Sequence, residues 1–373
     1  MSKKRVVITG LGIISSLGVG KAAFTENIFQ GVSGIKPIAT FDTALFSAKS
    51  AGEARDFSPE AILGPKGLRT LDRSIKLVAS ATKLALEDSC LEITESNSRD
   101  VGVAIGTTLG SVASISDFDR EALKEGPRYV NPALFPNTVI NSPASQVSIK
   151  FNIKGFNVTI STGFSASLDA LNYGVDALRF GRAKIVLGGG VEEFCIQTFL
   201  GFYKSGCLSG PGAVILGEGS GIIVLEELDS ALARKAKIYA EVLGFGSALQ
   251  DFKKSMRLSL EEAGLAAEKI DYINSAANSS AEFSAREAKA IEELFGKKAG
   301  ALPVSSIKPL AGESFSASGS LQVAAAISAI ERQKVPPSML NQAQSPMVEH
   351  VLINTGGKSG VNSSLIISKF KGY

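Results

Sequence analysis

Residues 157–171 read Asn157-Val158-Thr159-Ile160-Ser161-Thr162-Gly163-Phe164-Ser165-Ala166-Ser167-Leu168-Asp169-Ala170-Leu171. The first four form a short β-branched strand. Leu168, Leu171, Val175 and Leu178 then recur at helical spacing, so the chain passes through Ser161-Thr162-Gly163 into a helix that stops near Gly181. Ile185-Val186-Leu187 is the next strand. This β-turn-α-β unit predicts an α/β protein whose strands lie buried between helices. An elbow of this kind sets its apex residue beside the positive end of a helix, where a thiolate or alkoxide would be stabilised. Here the apex is Phe164, which carries no nucleophile. Ser161, Ser165 and Ser167 flank it, but a serine needs an adjacent base, and capping of the helix is the reading that suits all three.

The same alternation extends in both directions. Upstream, Arg5 to Thr9 is a strand expected to end in a tight turn at Gly10-Leu11-Gly12. Leu71, Ile75, Val78, Ala79, Thr82, Ala85 and Leu86 mark a helix with Asp72 near its start, and Val101 to Ile105 is a strand closed by Gly106. Downstream, Tyr239–Leu243, Tyr272–Asn274, Val304–Ser306 and Ser363–Ile367 read as strands. Met256–Ala263, Ala285–Leu294 and Leu321–Ile330 read as helices between them. Two βα-rich halves result, 1–235 and 236–373, and with no low-complexity linker between them they are expected to pack as one body. Phe-Ser-Ala-Ser occurs at 164–167 and again at 315–318, a recurrence of common residue types that reads as coincidence.

Composition narrows the function. The chain has 373 residues, 45% of them hydrophobic, enough for a large core. With 39 Lys and Arg against 36 Asp and Glu, it has no basic excess of the kind nucleic acid would require. Its three cysteines, Cys90, Cys195 and Cys207, are too few for a disulfide framework or a Cys-rich zinc site. The single histidine, His350, excludes any mechanism that needs two imidazoles. No run is long enough to span a bilayer and no signal-peptide core follows the N-terminal Met-Ser-Lys-Lys-Arg, so a cytoplasmic protein is expected. Gly10-Leu-Gly12-Ile-Ile-Ser15 imitates a dinucleotide fingerprint, but its third glycine is Ser15, and a turn is the better reading.

Taken together, these segments resemble the elongating β-ketoacyl-acyl carrier protein synthases of the thiolase-like superfamily, essentially end to end. Arg5 to Gly12 is similar to the opening strand, and Ser161 to Ser167 followed by Leu168-Asp-Ala-Leu171 to the nucleophile segment. Gly188-Gly-Gly-Val-Glu192 and Leu216-Gly-Glu-Gly-Ser-Gly221 with Val224-Leu-Glu226 resemble two glycine-rich signatures. Tyr272-Ile-Asn274, Val304-Ser-Ser-Ile-Lys308 and Asn354-Thr-Gly-Gly-Lys-Ser-Gly-Val-Asn362 match three more in the same order. The resemblance implies a thiolase-like fold, two similar βα halves packed as a layered α-β-α-β-α body, and no cofactor or metal.

It also implies chemistry for which this chain lacks the groups. The family accepts an acyl chain on a cysteine and decarboxylates a malonyl thioester with two histidines that support the developing charge. By the resemblance, the cysteine position is Phe164 and the histidine positions are Ala276 and Glu313. Lys308 is retained, together with Glu287, a carboxylate the family keeps near that lysine. Cys207 falls where the family uses no nucleophile. Phe202 and Lys358 are the substrate-facing positions, Lys358 standing where the family carries a gating phenylalanine. Two surface segments look deleted, one between Ser209 and Leu216 and one after Gly246. A lone Glu313 would be costly to bury, so pairing with Lys308 or Lys358 is expected.

Loss confined to the chemistry implies a non-catalytic subunit similar to chain-length factors, inactive alone and paired with an active ketosynthase in fatty acid, polyketide or polyene synthesis. Asn131 to Val147 and the Asn157–Ile160 strand lie where the family builds its dimer contact, with a homodimer the second choice and acyl carrier protein a further expected partner. An acyltransferase or decarboxylase with a rearranged site, or an acyl-binding protein, is the alternative. Neither nucleic acid nor membrane is expected as a partner.

Overall fold

The computed structural model describes residues 4–278, 280–337, 347–357 and 360–372. Its frame is ten strands: β1 Val6–Ser15, β2 Val101–Gly106, β3 Asn157–Ile160, β4 Ile185–Glu192, β5 Gly219–Glu227, β6 Ala240–Leu249, β7 Tyr272–Asn274, β8 Val304–Ser305, β9 His350–Thr355 and β10 Val361–Ser368. They run in the order β8-β7-β9-β10-β6-β1-β5-β4-β2-β3 within one hydrogen-bonded sheet. From either end the order is third, second, fourth, fifth, first, with the same parallel and antiparallel pairings in each half. The halves meet where β1 and β6 pair antiparallel over Val6–Ile8 and Ala240–Val242. Each half is therefore a copy of the other about a two-fold axis through that seam.

Seven helices matter for the site: α1 Arg73–Asp88, α2 Val112–Glu125, α3 Ala166–Arg179, α4 Ile196–Lys204, α5 Phe252–Ala263, α6 Ala281–Phe295 and α7 Ser316–Arg332. The third strand of each half leads into a central helix, α3 or α7. These two pack together between the two halves of the folded sheet, where Leu168, Leu171, Val323 and Ile327 join Val6, Ile223, Ile353 and Ile367 in one apolar cluster. Every residue of α7 from Ser316 to Ile330 is buried, which suits its small and apolar composition. On the outer faces, α1 covers the first half and α5 with α6 the second. The layers are α, β, α, β, α, as the resemblance implies.

Two readings of the sequence are corrected here. No turn interrupts Gly10-Leu11-Gly12, because β1 continues through it to Ser15. The glycines serve close packing instead: a Cβ on Gly12 would lie 1.7 Å from the Ala81 carbonyl oxygen of α1. The equivalent strand β6 repeats the device, since a Cβ on Gly246 would lie 2.1 Å from the Ser255 carbonyl oxygen of α5. The pattern Gly-x-Gly thus lets the first strand of each half approach its outer helix. The recurrence of Phe-Ser-Ala-Ser also gains a structural meaning. Both copies begin a central helix after the third strand of their half, and the Phe164 and Phe315 rings touch edge to face with centroids 5.2 Å apart.

Candidate functional site

The residues singled out by sequence arrive from the carboxyl ends of parallel strands. Phe164 lies in a 3-10 turn between β3 and α3, and Gly163 before it takes φ 76°, which an L side chain resists. Ala276 follows β7, Lys308 follows β8, and Glu313 occupies the turn into α7. The turns of the two halves face one another, so a segment around residue 164 and a segment around residue 313 share one site. Crevices at the carboxyl ends of strands are where α/β proteins place chemistry.

Lys308 is 3% exposed and Glu313 1%. Their charges meet directly, Lys308 Nζ to Glu313 Oε2 at 2.9 Å. The ammonium also donates to the Ala276 carbonyl oxygen at 2.9 Å. Glu313 fills the rest of its hydrogen-bonding capacity: Asn278 Nδ2 donates to Oε2 at 3.1 Å, while Phe315 N–H and Ser318 Oγ donate to Oε1 at 3.2 and 2.9 Å. A buried ion pair is stable only when the remaining polar atoms find partners, and both oxygens of this carboxylate do. The pairing expected for Glu313 is thus made with Lys308. Lys358, the other expected partner, lies outside the described residues.

Glu287, on α6, is buried beside this pair. It accepts from Ser275 Oγ at 2.6 Å, from Ala276 N–H at 3.1 Å and from Asn354 Nδ2 at 2.9 Å. Burial raises its carboxyl pKa, with the hydrogen bonds and the Lys308 charge opposing. It therefore holds the 275–277 backbone in the place from which the Ala276 carbonyl reaches Lys308. Ala276 presents only a methyl group, fully buried.

Phe164 fills the opposite side. Its ring packs on Phe315 and on Phe202, whose centroid is 6.5 Å away, and Phe202 packs at a tilt against Phe315 with centroids 5.0 Å apart. The ring also lies against the backbone at Gly357, where an added Cβ would come within 3.0 Å. Phe315 was not foreseen from the sequence. It is fully buried at φ 48° and ψ −118°, an unfavourable backbone for a non-glycine residue, and its N–H reaches Glu313 from that conformation. The repeated tetrapeptide was the signal that could have found it.

The flanking serines do not cap the helix as expected. Ser165 Oγ donates to the Val361 carbonyl at 2.8 Å, and Ser167 Oγ accepts from Ser320 N–H of α7 at 3.1 Å. Ser161 Oγ donates to the Thr108 carbonyl at 3.4 Å. Their hydroxyls tie α3 to neighbouring segments, because α3 begins packed against α7 rather than open to water. His350 begins β9, 3.9 Å from Asp271, whereas Asn354 and Thr355 at the other end of that strand border the site. Cys195 is buried against Thr198 with its thiol pKa raised by burial, and Cys207 is half-buried after α4. Among the described residues, the site holds a neutralised lysine, a carboxylate with four donors and a packed aromatic cluster. None of these is an available nucleophile, and Lys308, Asn278, Ser318 and the Phe315 N–H, donors of the kind that support an enolate, are engaged by Glu313.

The comparisons with known proteins agree with this architecture. Residues 3–231 match the family Beta-ketoacyl synthase, N-terminal domain, and residues 245–341 match Beta-ketoacyl synthase, C-terminal domain. The chain belongs to the β-ketoacyl synthase family. It is similar to 3-oxoacyl-[acyl-carrier-protein] synthase 2 of Coxiella burnetii, 33% identical with 99% of each chain covered, and to that of Vibrio cholerae at 31%, covering 99% of this chain and 100% of the relative. The Coxiella alignment spans 411 positions against 373 residues here, so that relative carries segments this chain lacks. Among solved structures, the ishigamide ketosynthase/chain length factor superposes with TM-score 0.88 at 29% identity, covering 99% of this chain and 100% of that one. A β-ketoacyl synthase from Burkholderia phymatum superposes at 0.89 with 26% identity and the same coverage. No helix among the described residues is long and apolar enough to cross a membrane.

Proposed function

We propose that this chain is a non-catalytic ketosynthase-fold subunit that pairs with an active β-ketoacyl synthase, in the manner of a chain-length factor. The observation that carries the reading is the Lys308–Glu313 pair. The cation of the site is neutralised by a carboxylate standing where the family places an imidazole, with Phe164 at the nucleophile's turn. Phe164, Ala276 and Glu313 are then the vacated catalytic positions, Lys308 and Glu287 are scaffold, and Phe202 bounds the closed side of the site.

A face for the partner is available. Helix α2 has no buried residue. Leu123 on it is 88% exposed and Tyr129 just beyond it 76%, with Phe135, Val139, Ile140 and Ile149 also exposed. The edge strand β3 lies on the same half, and exposed apolar side chains of this kind are what a permanent partner covers. The similarity to a ketosynthase/chain length factor supports a synthase as that partner, and acyl carrier protein is expected to dock on the resulting dimer.

The test is purification of the tagged chain from its native host. Recovery in equal amounts with a synthase carrying the cysteine and both histidines supports the reading, and recovery only as a homodimer overturns it. The relatives' names favour a second reading, a synthase with a rearranged site. Malonyl-thioester turnover by the purified chain, abolished by Lys308→Ala, would replace the first reading with the second.

A further inference from the structure

We infer that a cavity beneath α6 is a binding site for a compact organic cation, a protonated amine on an apolar body, with its ammonium against Glu287. The pairing proposed above does not involve this site. What points to it is an imbalance of buried charge beside an open space.

Two buried carboxylates share one buried ammonium. Glu287 and Glu313 are each 1% exposed, and Lys308 is 3% exposed. Among the described residues, Lys308 Nζ bonds to Glu313 and to the Ala276 carbonyl, and it reaches Glu287 only as a charge at a distance. Glu287 is left with neutral donors: Ser275 Oγ on Oε2, and Ala276 N–H and Asn354 Nδ2 on Oε1. Its Oε2 therefore keeps a lone pair to spare. An ionised carboxylate buried in this way calls for a counter-charge. With none bound, a proton takes that part, in keeping with the upward push that burial gives the Glu287 pKa.

The open space lies beside the less engaged oxygen. A cavity of about 420 Å³ runs between α6, the 296–301 turn and the ends of β7 and β8. Ser275, the donor to Oε2, lines it together with Glu287. Ala277 lines it too, whereas Ala276, the vacated position between them, does not. The walls are largely apolar, from Ala277, Ala288, Ile291 and Val304, and the volume is that of a small-molecule site. Its charged residues are Glu287 at depth and Glu292, exposed at the mouth; no cation lines it among the described residues. The neighbouring cations are directed elsewhere. Arg286 donates to the Gln250 carbonyl at 2.9 Å, Lys298 donates to the Glu268 and Ile270 carbonyls, and Lys289 pairs with Glu293. Acids without a cation repel a carboxylate or phosphate, and apolar walls do not suit a hydrated metal ion. An alkylammonium meets both conditions.

Calorimetric titration of the full chain with n-hexylammonium at pH 7.5, set against hexanol and hexanoate, tests the site. The ammonium should bind saturably, with hexanol at least roughly tenfold weaker and hexanoate weaker still. Ala288→Trp, a change at an exposed wall position that fills the mouth, should abolish binding. Glu313→Gln leaves the Lys308 charge to Glu287 and should weaken the ammonium by a similar factor. Glu287→Gln should do the same, and if that variant does not fold the other two decide. Absence of binding, or binding that survives Ala288→Trp, overturns the site. Equal affinity for hexanol and hexylammonium, or displacement of hexylammonium by potassium at matched ionic strength, overturns the assignment to an organic cation.

Discussion

Lys308 and Glu313 are each unaffordable alone and acceptable together, which makes their substitutions strongly non-additive. Glu313→Ala leaves a buried ammonium with only the Ala276 carbonyl, and should cost about 3–5 kcal/mol in urea unfolding. The double variant Lys308→Met with Glu313→Leu removes both charges at similar volume and should cost less than either single change. Glu313→Ala also empties a place lined by Lys308, Asn278 and the Phe315 N–H. Acetate in the medium should therefore recover part of its lost stability and leave wild type unaffected, as a thermal melt with and without acetate would read. At residue 164 the expectation is chemical. Phe164→Cys places a thiol at the start of α3, where it should take the acyl group from an added acyl thioester and release that donor's thiol, as intact mass would read. It should form no condensation product, because Ala276 and Glu313 supply no imidazole.

At the scale of elements, the first strand and outer helix of each half are fitted through glycines at a distance that leaves no room for a methyl group. Gly12→Ala drives a Cβ into the Ala81 carbonyl, an obstacle made of backbone that cannot rotate away. The variant should lose about 3 kcal/mol or more, or fail to accumulate as soluble protein, whereas Gly20→Ala, with nothing within 4 Å, tests only the cost of a positive φ at 82°. Sequence pattern located most of these elements. Asp72 does cap α1, its side chain accepting from Ile75 N–H at 2.8 Å. β4, β6 and α7 prove longer than their sequence signals because most of their extra residues are glycine, serine and alanine, which carry little periodicity but pack well between layers.

At the scale of the whole molecule, the buried carboxyl groups decide how stability depends on pH. Glu192, Glu193, Glu287 and Asp169 all have pKa values raised by burial, so the folded chain binds more protons than the unfolded one above the ordinary carboxyl range. Stability then falls as pH rises through that range. For Glu193 alone the raise to about 7 corresponds to roughly 3 kcal/mol, complete once pH passes 7. Denaturation of wild type and Glu193→Gln at pH 5.5 and 7.5 should show the difference between them shrinking at the lower pH.

The sequence by itself determined the α/β class and most of the strands and helices, though not β5, β9, α2 or α4, and it carried the family's signature segments in order. These follow from local periodicity and from motifs whose residues are near neighbours in the chain. It also determined that Glu313 needed a cation, since a buried carboxylate cannot stand alone. Only the tertiary structure decided which lysine answers it, that Phe164 and Phe315 meet across the two-fold of the repeat, and that Ser165 and Ser167 bond outward rather than cap α3. It likewise revealed that Gly10 and Gly12 serve helix packing and not a turn. Each of these depends on contacts between residues tens to hundreds of positions apart, and a distance through folded space leaves no periodic trace along the chain.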